Sequence, residues 1–140
     1  MTMARRVFCV LAVAALTACA ATSAPADGPS YTVGVVQGQR SVISSENLSL
    51  ELTSVDDSRC PPKVQCVQAG AVSVTLRLQQ PGVAAELITL GMPGSTLRPG
   101  EGKILGYRLS LQEVSPRPPD DAQAVNYRVT VKVARDSRSR

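Results

Sequence analysis

Histidine is absent from this chain of 140 residues, and so is tryptophan. Without histidine the sequence lacks the commonest general base, together with the serine and cysteine triads that depend on it. A zinc site is disfavoured as well, because structural zinc takes four ligands that are mostly cysteine and histidine. Without tryptophan the chain lacks the best stacking surface for sugars and nucleobases. We therefore expect no catalytic residues, no metal or other cofactor, and no nucleic-acid partner.

Carboxylates are the remaining candidates for catalysis or cation binding. Aspartate doublets occur at 56–57 and 120–121. A glycosidase instead places two separated carboxyl groups across a cleft. The doublets could be joined by Glu46 or Glu113 in a loose calcium site, but the ligand ladder of an EF-hand loop is missing. Solvated turn residues are the simpler interpretation of both doublets.

The first residues have the features of an export signal. Arg5 and Arg6 precede an apolar run of 12 residues, 7–18, that ends in small side chains. This pattern is typical of a signal peptide. A membrane-spanning helix needs about 20 apolar residues, so a retained anchor is the less favoured alternative. An ordinary secretory signal, cut beside one of the nearby alanines, is a further alternative.

Residues 16–19, Leu-Thr-Ala-Cys, resemble the lipobox of bacterial lipoproteins. The resemblance implies a diacylglyceryl group on the thiol of Cys19, cleavage before Cys19, and acylation of the new amino terminus. Several acyl chains anchor a protein stably, whereas a single chain binds membranes only marginally. Ala20 is similar to the residue that directs such proteins to the outer membrane of bacteria with two membranes. The membrane, reached through this lipid, is thus one expected partner.

Processing at Cys19 divides the chain into four parts. These are a signal peptide (1–18), a lipidated tether (19–30), a folded domain (31–134) and a basic tail (135–140). The tether is rich in small residues, proline and glycine, which predicts a flexible linker. Loss of two arginines leaves 13 of 15 basic residues against 11 acidic ones, so the net charge falls from +4 to +2. The composition of the tail indicates a solvated segment. The alternative is that its arginines contact anionic lipid or peptidoglycan.

The cysteine count indicates one disulfide. Cys9 is lost with the signal and Cys19 carries the lipid, so Cys60 and Cys66 are the two remaining thiols. Two thiols in an oxidising compartment are expected to pair. The bridge closes a loop of about seven residues and stabilises the fold by ~2.4 kcal/mol on the chain-entropy model. This matters because one phenylalanine and three tyrosines leave most of the core to aliphatic side chains.

A period of two recurs along the domain and predicts β-strands. The strongest alternation of apolar and polar residues is at 48–55, 71–79 and 124–134. Weaker strands are predicted at 31–36, 40–43, 84–90 and 103–114, the last with a bend at Gly106. One apolar and one polar face per strand is typical of antiparallel sheets. The prediction is an all-β antiparallel sandwich, immunoglobulin-like or a small barrel, of about seven strands, with helix limited to one turn at 119–124.

One segment, 55–72, has the character of a motif. Its pattern D-S-R-C-P-x4-C-V-x-A-G resembles a group of uncharacterised small bacterial secreted proteins and lipoproteins. The segments 106–116 and 127–133 look like the closing strands of that group, so the resemblance covers most of 48–133. It implies a fold and an envelope location, and no activity. Gln68 departs from the pattern, which has tryptophan at this position. We therefore expect either looser packing over the disulfide or another residue that takes over the role of the tryptophan.

The loop of this motif contains the candidate binding residues Arg59, Lys63, Asp56 and Asp57. A local ion pair between Arg59 and the neighbouring aspartates, which pins the loop, is the simpler interpretation. The alternative makes Arg59 and Lys63 ligands for a carboxylate or phosphate of a partner. The glycine- and proline-rich loop 91–102 is a second candidate. We expect a non-catalytic envelope lipoprotein that binds a protein or supports the envelope, or alternatively an inhibitor of a protease or lysozyme.

Overall fold

The computed structural model describes residues 28–92, 99–119 and 124–136. The predicted signal peptide, Cys19 and most of the tether and tail lie outside these residues. So do the second aspartate doublet, the middle of the loop 91–102 and most of the turn predicted at 119–124. The described part of the chain holds no helix with the length and hydropathy of a membrane span.

Eight β-strands and one short 3-10 turn form the described fold. In chain order they are β1 (Ser30–Val36), β2 (Arg40–Ile43), the 3-10 turn (Ser44–Glu46), β3 (Leu48–Asp57), β4 (Val72–Gln79), β5 (Glu86–Gly91), β6 (Glu101–Ile104), β7 (Tyr107–Ser115) and β8 (Arg128–Arg135). The all-β prediction is therefore confirmed.

The strands form two antiparallel four-stranded sheets, β1-β8-β7-β6 and β2-β3-β4-β5. Contacts at two corners join the sheets: the Ser41 hydroxyl donates to the Gly34 carbonyl at 2.9 Å, and the Gly91 amide donates to the Pro99 carbonyl at 2.9 Å. Chain order thus runs round the molecule without a crossover. This is the order of an up-and-down barrel flattened into a sandwich, whereas an immunoglobulin fold has Greek-key connections.

The predicted strands 48–55 and 71–79 correspond to β3 and β4, and the predicted segment 103–114 divides into β6 and β7. The two strands are joined by Leu105 and Gly106, with φ of 50° and 77°. Positive φ at both central residues matches the twist of a two-residue hairpin, so the expected bend is a complete turn. The last strand begins at Arg128 rather than at the predicted residue 124, and residues 124–127 lie outside the sheet.

Alternating side chains of both sheets meet in an aliphatic core. On β3 and β4 the inward positions are buried and the intervening positions are more exposed, as the period of two requires. The fully buried side chains include Leu48, Leu50, Leu76, Leu78, Leu109, Leu111, Val129, Val131 and Val133. Interior positions of a small barrel are filled by side chains in this way.

β3 runs the length of the sandwich and defines two ends. Its ten residues span about 33 Å. We call the end near Leu48 the terminal end, because Ser30 pairs there with Ala134, close to both described chain ends. We call the end near Asp57 the disulfide end, because the connection to β4 contains Cys60 and Cys66.

Candidate functional site

The disulfide loop, residues 58–71, connects β3 to β4. The predicted bridge between Cys60 and Cys66 is present, with their Cα atoms 5.9 Å apart. Within the bridge the Val64 amide donates to the Pro61 carbonyl at 3.3 Å, so residues 61–64 form a turn. Val64 and Val67 are exposed, and the exposed fraction of Val67 is 104%. The loop is thus closed covalently and presents apolar side chains to solvent.

Ser58 closes the base of the loop. Its amide and its hydroxyl donate to the Ala71 carbonyl at 2.8 and 3.0 Å, and its hydroxyl oxygen accepts from the Ala71 amide at 3.1 Å. Gly70 permits this approach, since a Cβ atom there would lie 1.6 Å from the Ser58 carbonyl oxygen. The serine and the glycine of the motif therefore serve the fold.

Arg59 fastens the loop to the opposite sheet. Its Nε and Nη2 atoms donate to the Asp57 carboxylate at 2.8 and 2.6 Å. Its Nη1 and Nη2 atoms donate to the carbonyls of Val114 and Pro116 at 2.9 and 3.0 Å. The bonds to Asp57 raise the pKa of Arg59 despite partial burial. Arg59 thus forms the local ion pair that the sequence suggested, and its partner is Asp57 rather than Asp56.

Tyr127 completes this group at the disulfide end. Burial raises the pKa of its hydroxyl, and the charge and hydrogen bond of the Asp57 carboxylate raise it further. Tyr127 precedes β8 in one sheet, whereas Asp57 ends β3 in the other. We call Asp57, Arg59 and Tyr127 the disulfide-end clamp, because they join the two sheets where the loop leaves them.

The other predicted binding residues are at the surface. Lys63 is exposed in the turn of the loop, and Asp56 is exposed on β3. Gln68, at the position where the resembling proteins have tryptophan, is exposed as well. In the second candidate loop, the described carbonyls of Pro99 and Gly100 accept hydrogen bonds from the sheet. Of the four candidate binding residues, two therefore bind each other within the fold and two face solvent.

A buried carboxylate that the sequence did not predict lies at the terminal end. Glu46 accepts from the hydroxyls of Tyr31 and Tyr107 at 3.0 and 2.9 Å, and from Nε of Arg135 at 3.1 Å and its Nη2. The Arg135 hydrogen bond lowers the pKa of Glu46, with smaller contributions from both tyrosines, and burial acts in the opposite direction. Gln80 donates to the Tyr107 hydroxyl at 3.2 Å. We call Glu46, Tyr31, Tyr107 and Arg135 the terminal-end clamp.

Sequence spacing explains why this second clamp was missed. The partners of Glu46 are 15, 61 and 89 positions away in the chain. One usable signal was that Tyr31 and Tyr107 fall at inward strand positions, where a buried hydroxyl needs an acceptor. All three tyrosines of the chain belong to the two clamps.

The clamps also contradict the calcium site that would combine Glu46 with the first aspartate doublet. Glu46 and Asp57 lie at opposite ends of β3, and each is paired with an arginine. Among the residues with described positions, no group of three or more potential metal ligands occurs. The carboxylates at these two positions therefore join the sheets.

Because of Glu46, the free energy of unfolding is expected to depend on pH. Its pKa in the folded state is lowered, so its ionised form stabilises the fold above the unfolded pKa of about 4.3. This stabilisation is lost as the pH falls through the folded pKa. Glu46→Gln should lower Tm by about 5 °C or more at pH 7, and the difference from wild type should shrink by half or more near pH 3.

Thermal melts of wild type and Glu46→Gln at several pH values from 3 to 7 test this expectation. Glu51→Gln is the matched control, since Glu51 is 35% exposed and lies 3.9 Å from Arg40. An exposed pair of this kind contributes less than about 1 kcal/mol. A difference between Glu46→Gln and wild type that stays constant with pH would contradict the role of the ionised carboxylate.

The described site is built to hold and present a loop. Buried carboxylates are paired with arginines at both ends, and Ser58 and Gly70 close the base of the loop. Exposed side chains of the loop that remain available for contact with another molecule include those of Lys63, Val64 and Val67. No family model, no curated protein and no solved structure matches this chain, so the interpretation of the site rests on its own geometry.

Proposed function

We propose that this protein is a lipid-anchored bacterial envelope lipoprotein whose non-catalytic β domain binds a protein partner through the disulfide loop. The resemblance of 16–19 to a lipobox supports an anchor at Cys19. The resemblance of 55–72 to small bacterial secreted proteins and lipoproteins supports an envelope location. Neither resemblance identifies the partner, so the contact surface is argued from the fold.

The observation that carries the proposal is the position of the loop relative to the first described residues of the domain. Pro29 accepts a hydrogen bond from the Arg135 amide at 3.4 Å, which places the start of the domain at the terminal end. The Cys60–Cys66 bridge lies at the other end of β3, about 33 Å away. An anchor that precedes Pro29 is therefore attached to the domain at the end opposite the loop, which leaves the loop free to contact another molecule.

The loop itself has the properties of a contact surface. The disulfide and the disulfide-end clamp hold it before any partner arrives, which reduces the entropy lost on binding. Val64 and Val67 are exposed within one short loop. Apolar groups that are both exposed and rigidly held favour burial against another protein.

Inhibition of an envelope or host hydrolase is the second candidate function. A stiff, disulfide-closed loop at the far end of the domain also suits insertion into an active site. The turn at 61–64 favours this candidate less, because it bends the chain at Lys63, whereas a peptide bound by strand addition is extended. We therefore rank a partner-binding role above inhibition.

The anchor is tested by the mass and location of the mature protein. We expect a mature chain that begins at Cys19, carries acyl chains and fractionates with membranes. Cys19→Ala should abolish both the added mass and the membrane association. A mature wild-type chain without acyl groups would refute the anchor.

The contact surface is tested by photo-crosslinking in living cells. A photoreactive residue at position 67 should form a discrete adduct with a protein, and one at Thr32, exposed on β1, should not. The same adduct at both positions, or none at 67, would contradict the loop as the contact. If the purified protein lowers the activity of lysozyme or of a serine protease, and Val67→Asp removes the effect, inhibition becomes the better description.

A further inference from the structure

Large exposed apolar side chains gather at the two ends of the sandwich. Val64 and Val67 belong to the disulfide loop. Val42, Val83 and Leu87 are exposed by 60, 46 and 64% and lie towards the terminal end. The first group is accounted for by the proposed partner contact, and the second group is a separate surface.

The three residues of this second surface, which we call the terminal-end patch, belong to one sheet, in which β3 and β4 separate the edge strands β2 and β5. Val42 is the third of the four residues of β2, close to the 3-10 turn that contains Glu46. Val83 lies in the connection between β4 and β5, where its amide donates to the Gln80 carbonyl at 3.2 Å. Leu87 is the second residue of β5. The connection between β4 and β5 adds the exposed residues 81–84 to this surface.

That connection carries no charge. Residues 78–85, Leu-Gln-Gln-Pro-Gly-Val-Ala-Ala, contain no acidic or basic side chain, and 81–84 are exposed. Moving a charged side chain out of water costs far more than moving an uncharged one. A tight, uncharged, apolar turn is therefore suited to a surface that excludes water.

The start of the domain lies at this same end. Gly28 is close to Arg135, since a Cβ atom on Gly28 would lie 3.3 Å from the Arg135 Cβ. Cys19 and Gly28 are nine positions apart in the chain, which limits the distance between them to about 32 Å at ~3.6 Å per position. If Cys19 is acylated, the terminal end is held within this distance of the bilayer. A weak contact then suffices, because the covalent link makes it intramolecular.

We propose that the terminal-end patch, Val42, Val83 and Leu87 together with the uncharged connection between β4 and β5, rests in the interfacial layer of the bilayer that holds the acyl chains of Cys19. This inference rests on the proposed lipid anchor. The patch would act as the second membrane contact beside the lipid. The long axis of the sandwich would then stand away from the membrane, with the disulfide loop at its far end.

The absence of tryptophan from the chain allows a direct test. Val83→Trp and Val67→Trp each introduce a single fluorophore at an exposed position, one at either end. Each full-length lipidated protein is reconstituted into phosphatidylcholine and phosphatidylglycerol vesicles with and without brominated acyl chains. We expect brominated lipid to reduce the emission of Val83→Trp at least twofold and to leave that of Val67→Trp unchanged, with a blue shift for Val83→Trp only.

Flotation of the vesicles separates failure of the anchor from failure of the patch. If the lipidated proteins do not float with the vesicles, the proposed anchor is wrong and the patch has no membrane to contact. If they float but Val83→Trp is quenched no more than Val67→Trp, the anchor stands and the patch proposal is overturned. A blue shift of Val83→Trp without quenching would point to a second protein copy on the patch, and this too would overturn it. Thermal melts of both variants verify that each is folded.

Discussion

Gly70→Ala is expected to destabilise the domain by about 3 kcal/mol or more. The new Cβ atom would lie 1.6 Å from the Ser58 carbonyl oxygen, 2.3 Å from the Ser58 carbonyl carbon and 2.8 Å from the Arg59 nitrogen. All three are backbone atoms, so no side chain can rotate away to relieve the overlap. Residues 58 and 70 must separate, and the Ser58 hydrogen bonds to Ala71 are lost with that movement. Urea unfolding at neutral pH measures the resulting decrease in the free energy of unfolding.

Two other glycines provide matched controls for this substitution. A Cβ atom on Gly102 would lie 2.6 Å from Cδ1 of Ile88, the end of a flexible side chain, whereas one on Gly34 meets nothing within 4 Å. The expected order of destabilisation is therefore Gly70→Ala, then Gly102→Ala, then Gly34→Ala, with Gly34→Ala within about 1 kcal/mol of wild type. Equal effects at Gly70 and Gly34 would contradict the close approach at the base of the disulfide loop.

Arg59→Gln is expected to have a comparable effect, about 3 kcal/mol, because removing one partner of a buried pair leaves the other charge uncompensated. The Asp57 side chain is only 1% exposed, so water cannot replace the lost guanidinium. The substitution also removes the two bonds to the carbonyls of Val114 and Pro116. Denaturant unfolding of the single variant tests this magnitude.

A double-mutant cycle distinguishes the buried charge from the other contacts of Arg59. Asp57→Asn combined with Arg59→Gln should be less destabilising than the sum of the single changes, because no unpaired charge remains. Arg40→Gln is the control, since Arg40 is 56% exposed and lies 3.9 Å from Glu51, and it should cost less than about 1 kcal/mol. Strict additivity in the cycle would indicate that the pair itself contributes nothing.

The two clamps have a shared physical role. The core consists mainly of leucine and valine side chains, whose packing energy depends on area more than on direction. Hydrogen bonds from arginine and tyrosine to a carboxylate are directional, and each clamp joins residues of the two opposite sheets. At the disulfide end this attachment also orients the loop that we propose to be the contact surface.

The sequence alone determined those features that depend on near neighbours. Alternation along 48–55 and 71–79 identified β3 and β4, because side chains of a strand point to opposite faces in turn. Cys60 and Cys66 were paired by counting thiols, and Arg59 lies two positions from its partner Asp57. The hairpin between β6 and β7 was missed because Leu105 occupies a position of positive φ where Asn-Gly is the usual signal.

Only the tertiary structure decided the features that depend on distant residues. Glu46 entered the sequence analysis only as a possible ligand of a loose calcium site, and it is buried because β1, β7 and β8 bring two tyrosines and an arginine to it from up to 89 positions away. The up-and-down strand order likewise follows from pairing across the two sheets. The disulfide loop and the start of the described domain lie at opposite ends because of that order. Local pattern determines which face of a strand is apolar, and the pairing of strands determines which residues share an end.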